Sequence, residues 1–108
     1  MSQRSNVLSV ADLRRVFHPF CEKYRIRRLE VFGSTARGQA APGSDLDLLV
    51  TLDDSTAIST AELLEMAGEA EEVAGTTVDF VLRHLVESSP NRFAREEILS
   101  SAVCLYGS

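Results

Sequence analysis

The apolar and polar positions divide the chain into alternating helical and extended stretches. Val10, Leu13, Val16, Phe17, Phe20, Cys21 and Tyr24 recur at helical spacing, which predicts an amphipathic helix with one apolar face. Ser9 stands before it as an N-cap, with Asp12 three residues on in a capping-box position. Pro19 falls inside the pattern. It lacks the amide for a helical bond, which predicts a kink near Arg15 or a split into two short helices. Leu29 to Phe32 reads as a strand, with Leu29 and Val31 on one face and Glu30 and Phe32 on the other. Asp45 to Leu52 reads as a second strand. It is apolar on both faces beyond its aspartates, which predicts a central place in the sheet.

Ser59-x-x-Glu62 repeats the capping box ahead of Leu63, Leu64, Ala67 and Ala70, and Gly75 ends that helix. Glu65, Glu69, Glu71 and Glu72 make its outer side acidic, a solvated face or a surface for a basic partner. Thr77 to Leu82 is a third strand, with Val78, Phe80 and Leu82 opposite Asp79 and Val81. Ser89-Pro90 has the character of a helix start, and Phe93, Ala94, Glu97, Ile98 and Ser101 follow at helical spacing. Ala102 to Tyr106 is a candidate final strand. This order predicts an α/β (α+β) fold, a mixed β-sheet of three to four strands with helices packed on one side. With no internal repeat, residues 1–108 read as a single domain, with 1–8 as a loose terminus.

Composition narrows the setting. The 108 residues are 44% hydrophobic, enough for one core. No apolar run approaches the roughly 20 residues of a membrane span, and Met1 to Asn6 is polar, unlike a secretory leader. Cys21 and Cys104 sit in core-like patterns, which fits small hydrophobes in a reduced, cytoplasmic setting. His18 and His84 are far apart, and no Cys/His spacing suggests zinc. The net charge is −5. Such a surface repels a phosphate backbone, so direct nucleic-acid binding is not expected. A small nucleotide held through a metal, or a basic protein partner, is compatible with it.

The chemistry concentrates between the first two strands. Gly33-Ser34 follows the first strand, and a turn or short helix leads into a loop rich in Gly, Pro and Ala. The second strand then opens with Asp45 and Asp47, which alternation places on one face. Two like charges about 4 Å apart repel by roughly 4 kcal/mol at an effective dielectric near 20, so such a pair calls for a cation. Carboxylate oxygens suit Mg²⁺, which is commonly bridged to substrate phosphates. Gly33 allows close backbone approach to a ligand, and amides opening a following turn favour an anion. The stretch therefore reads as a phosphate grip facing a metal grip. The Arg25, Arg27 and Arg28 cluster ahead of the first strand reads as a solvated face, with contact to phosphate or to an acidic partner as the alternative.

Gly33-Ser34, ten residues, then Asp45-x-Asp47 resembles the signature of the DNA polymerase β-like nucleotidyltransferase superfamily. The flanks, Phe32 to Gly38 and Ser44 to Val50, resemble more narrowly the minimal nucleotidyltransferase (MNT) proteins, antitoxins paired with HEPN-domain ribonuclease toxins. The resemblance runs from about Leu13 to Tyr106. It implies that Asp45, Asp47 and Asp79 are catalytic and bind metal, two Mg²⁺ ions, with Asp79 as a metal ligand or as general base. It implies that Gly33 and Ser34 hold the triphosphate of ATP, and Arg37 is placed to pair with a phosphate oxygen. The implied activity is transfer of AMP from ATP to a hydroxyl, a tyrosine, of a partner HEPN toxin, which would be silenced in a hetero-oligomer. The alternatives are an antitoxin acting by binding alone and a small-molecule transferase of the aminoglycoside-modifying type. Bland readings stand beside the residue roles. Ser34 could cap a short helix, Arg37 could lie in solvent or on a surface carboxylate, Asp45 could cap the Gly43-Ser44 turn, and Asp79 could pair with Arg83 or an arginine of the first helix.

Overall fold

The computed structural model describes residues 8–38, 45–53 and 58–107. The expected loose terminus beyond Leu8, the Gly43-Ser44 turn and most of the Asp53-Asp54-Ser55 turn lie outside the described residues. The elements in order are α1 (Val10–Lys23), β1 (Ile26–Phe32), β2 (Leu46–Leu52), α2 (Thr60–Ala74), β3 (Val78–Leu82), α3 (Arg83–Glu87), α4 (Arg92–Ser101) and β4 (Val103–Tyr106). The strands form one sheet in the order β3-β2-β1-β4. β1 runs antiparallel to β2 and to β4, and β2 runs parallel to β3, so the sheet is mixed, as expected.

Both predicted capping boxes form. Ser9 Oγ accepts from the Asp12 amide at 3.1 Å, and Asp12 Oδ2 accepts from the Ser9 amide at 3.2 Å. Ser59 and Glu62 repeat the arrangement at the start of α2. Gly75 ends α2 in the left-handed region, where a side chain would be strained. α1 is not divided at Pro19. Pro19 and Arg15 are both exposed, so the carbonyl that loses its partner lies on the solvent side. Leu13 and Phe17 before the proline, and Phe20 and Cys21 after it, hold both halves in the core.

α1 and α2 pack on one face of the sheet, over Leu29, Val31, Leu48, Val50 and Val78. Phe20 of α1 meets Phe80 of β3 edge-on at 6.3 Å. Lys23 Nζ and Tyr24 Oη both donate to Glu69, at 2.8 and 2.6 Å, and tie α1 to α2. Part of the acidic side of α2 is thus structural. The expectation of a helical layer on one side holds for this larger layer. α3 and α4 add a smaller one on the opposite face, where Phe32, Leu49 and Val86 pack with Val81, Ile98 and Leu99. α3 is five residues long, continues directly from β3 and has no side-chain cap, so neither periodicity nor a cap announces it. α4 is capped by Asn91, whose Oδ1 accepts from the Ala94 amide, two residues beyond the predicted start. Cys21 and Cys104 are free thiols, and burial pushes Cys21 up to about 12. Among the described residues, no helix is long and apolar enough to cross a membrane.

Candidate active site

Pairing brings the predicted carboxylates to one end of one sheet face. Asp47 is the direct partner of Phe32 on β1 and of Asp79 on β3. In-register residues of neighbouring strands project to the same side. Asp47 and Asp79 are therefore neighbours on the face carrying Phe32 and Leu49, and Asp45 precedes β2 on the same parity. Beyond the ladder, one further bond joins β2 to the start of β3 and another ties β3 to α2. The Leu46 amide donates to the Thr77 carbonyl at 2.9 Å, and the Val78 amide donates to Glu71 Oε2 of α2 at 3.1 Å.

The electrostatics follow from the crowding. Asp47 is half-buried, while Asp45 and Asp79 are exposed. Desolvation, then the charges of Asp79 and Asp45, hold the Asp47 carboxyl above the ordinary carboxylate range, and the Arg37 charge opposes them. No described Lys or Arg forms an ion pair with any of the three. The proposed structural partner of Asp79, Arg83, is engaged elsewhere. It donates to Glu30 at 2.5 Å and to Glu87 at 2.9 Å.

Gly33 ends β1 at φ +76°, and residues 33–38 form a turn rather than a helix. The Arg37 amide donates to the Gly33 carbonyl at 3.2 Å and closes the turn. Arg37 is exposed and in no ion pair with a described residue. The turn lies against the carboxylates, because a side chain at Gly33 would collide with the carboxylate of Asp47. From Arg37 an open groove runs along α4 past Phe93, Arg95 and Leu99.

The structure thus gathers Gly33, Arg37, Asp45, Asp47 and Asp79, with Ser34 in the turn between. The sequence does not announce the supporting residues, Glu30 and Arg83 on the same sheet face and Glu71 on α2. Glu30 gave one signal, a carboxylate inside an apolar strand. No three His, Cys, Asp or Glu side chains among the described residues form a ready-made metal cage. Mg²⁺ needs no such cage, since it keeps waters and takes one or two carboxylates together with substrate phosphates. Carboxylates crowded without a cation suit such an ion, with Asp45, Asp47 and Asp79 as the residues to hold it.

Residues 13–108 match the model of the nucleotidyltransferase domain. The chain belongs to the nucleotidyltransferase-domain family. A protein of Methanocaldococcus jannaschii, MJ0435, named as a candidate protein adenylyltransferase, is 30% identical over 96 residues, covering 89% of this chain and 97% of the relative. The protein adenylyltransferase MntA of Thermococcus cleftensis is 30% identical over 78 residues, 72% of this chain and 77% of that one. The fold is shared with the crystallographic complex of a tri-AMPylated Shewanella oneidensis HEPN toxin and its MNT antitoxin. There the TM-score is 0.63 at 14% identity, covering 92% of this chain and 73% of the other.

Proposed function

We propose that this nucleotidyltransferase is an antitoxin that transfers AMP from ATP to a tyrosine hydroxyl of a partner HEPN ribonuclease toxin and so silences it. The observation that carries the reading is the in-register pairing of Asp47 with Asp79 beside Asp45, opposite the Gly33 turn. The names of the relatives support protein as the acceptor, and the Shewanella complex supports a HEPN toxin as the partner.

In this reading the Gly33-Ser34 turn binds the triphosphate, and Arg37 pairs with a phosphate oxygen. The acceptor oxygen bonds to the α-phosphorus, the bond to the departing pyrophosphate breaks, and Asp79 takes the hydroxyl proton. Mg²⁺ held by Asp45 and Asp47, with Asp79, would supply charge neutralisation at the phosphates and a lowered pKa at the attacking hydroxyl. The groove along α4 opens beside Arg37 and gives a macromolecular acceptor room to approach. The test is incubation with ATP, Mg²⁺ and a HEPN protein encoded beside this chain, where its gene neighbourhood holds one, followed by intact mass measurement. Growth of the partner's mass by AMP units is expected. An unchanged partner, with its ribonuclease nonetheless inhibited, would leave the binding-only antitoxin as the better account.

A further inference from the structure

Glu30 is a buried carboxylate in the middle of β1, 6% exposed. It accepts from Arg83 Nη1 at 2.5 Å, and Arg83 Nε donates to Glu87 at 2.9 Å. With two of its nitrogens engaged, the guanidinium has a fixed direction. Taking two charges out of water is costly, and apolar side chains of similar volume often match or better a buried pair in stability. Stability alone therefore does not account for an ion pair here. The best-attested use of buried polar groups is to specify one register among several.

β1 and β3 are not neighbours in the sheet, because β2 lies between them. They stand roughly 10 Å apart, two strand spacings. Arg83 opens α3 directly after β3, and Glu30 lies on β1, so their bond passes over β2. It joins the strand that leads into the Gly33 turn to the strand that carries Asp79. Glu30 is opposite Leu49, and Leu49 is opposite Val81. The next row on this face is Phe32, Asp47 and Asp79, roughly 7 Å along the strands.

β3 is an edge strand, paired only with β2 and parallel to it. Val78, Phe80 and Leu82 meet Leu46, Leu48 and Val50 of β2, and apolar contact is non-directional. A shift of β3 by two residues would keep every side chain on its own face. It would nonetheless carry Asp79 roughly 7 Å from Asp47. The bonds at Thr77 and Val78 hold the start of β3. Arg83 holds its far end, from which α3 departs.

We infer that Glu30 and Arg83 are positioning residues, whose bond sets β3 against β1 and so keeps Asp79 level with Asp47. They act through Asp79 and take no part in the chemistry. The consequence for AMP transfer rests on the reading of the aspartates as its active site, and the consequence for strand register does not.

The double variant Glu30→Met/Arg83→Met removes the bond and keeps the burial. Backbone NOEs between Asp47 and Asp79 report the register directly, without metal or nucleotide. They should weaken or split into two sets, while urea melts show most of the wild-type stability. Transfer with Mg²⁺, ATP and the HEPN partner should show kcat lowered about tenfold or more, since a small misplacement of a catalytic group is costly. KM for ATP should change little. Arg83→Lys keeps the charge and should retain more of both the NOEs and kcat than Arg83→Gln, a comparison that decides the matter if the double variant folds poorly. Wild-type NOEs in the double variant, or equal NOEs in Arg83→Lys and Arg83→Gln, would overturn the inference whatever the transfer rate. So would wild-type kcat in a variant with a displaced register. If the wild-type chain itself transfers no AMP, the transfer reading fails alone, and the NOEs still judge the role of the pair.

Discussion

A methyl group on Gly33 would fall within collision distance of Asp47 Oδ2. The backbone of the turn and the carboxylate of β2 are therefore packed as closely as a glycine allows, and the two halves of the proposed site form one constrained unit. Gly33→Ala should lose AMP transfer almost completely. Gly38 provides the control, because it shares a left-handed conformation, at φ +70°, yet has nothing among the described residues near the position of a Cβ. Gly38→Ala should cost only the conformational strain, about 1–2 kcal/mol. Denaturant melts and transfer rates of the two variants separate strain from collision. Equal transfer by both would show that contact with Asp47 is unimportant.

Asp47 gives a pH-dependent signature. Its carboxyl is held above the ordinary 3.8 by burial and then by the charges of Asp79 and Asp45. The folded state thus binds this proton more tightly than the unfolded state. Its contribution to stability is full below the ordinary pKa and is lost as pH rises through the raised one. Asp47→Asn should therefore melt a few degrees higher than wild type at neutral pH without metal. The advantage should fade in mild acid. Thermal melts at the two pH values check this, and a destabilised Asp47→Asn at neutral pH would contradict the crowding.

Ligand linkage should reverse that ranking. Mg²⁺ with ATP should raise the melting temperature of the wild type, since a ligand bound only by the native state stabilises it by mass action. Asp45→Asn and Asp47→Asn should lose most of the gain. A shift of wild-type size in both variants would remove the carboxylates from the binding site.

Asp79 separates catalysis from docking. It is exposed and in no ion pair with a described residue, so Asp79→Asn should keep the fold and the partner. Transfer should fall by about 10²- to 10⁴-fold, the usual cost of a lost general base. If the variant transfers nothing yet protects cells fully at native expression, neutralisation proceeds by binding alone.

The Glu30–Arg83 pair lies on the same sheet face as the aspartates and ties α3 to β1. Arg83→Met would leave a buried carboxylate on β1 without its cation and should cost about 3 kcal/mol. Adding Glu30→Met should recover most of that, because a buried pair is often replaceable by apolar side chains. Urea melts of the single and double variants measure the difference.

The local signals in the sequence were legible because their causes are local. Ser9 with Asp12, Ser59 with Glu62, and Gly75 each act within one helical turn, and each appears where expected. The alternation of Glu30 and Phe32 against Leu29 and Val31 likewise survives in the sheet. Pro19 does not split α1 because its cost depends on whether the orphaned carbonyl faces solvent or core, which depends on tertiary packing. α3 was hidden because five residues carry less than two helical turns of pattern. At the site, the parity of Asp45 and Asp47 was readable along one strand. The pairing of Asp47 with Asp79 depends on a register between strands separated by α2, and only the assembled sheet displays it. The same holds for Arg83, which has several carboxylates within reach in sequence and chooses Glu30 across two strands.

The parallel pairing of β2 with β3 also has a consequence in time. All of α2 lies between Asp47 and Asp79, so a chain still emerging from the ribosome presents the first two carboxylates well before the third. Parallel strands cannot zip from a tight turn, and such distant pairings form late. A nascent chain could therefore cap α1 and pair β1 with β2 while still lacking its third carboxylate. On the proposed mechanism, competence would arrive only when β3 pairs beside β2, so synthesis through β3 would have to precede the first turnover.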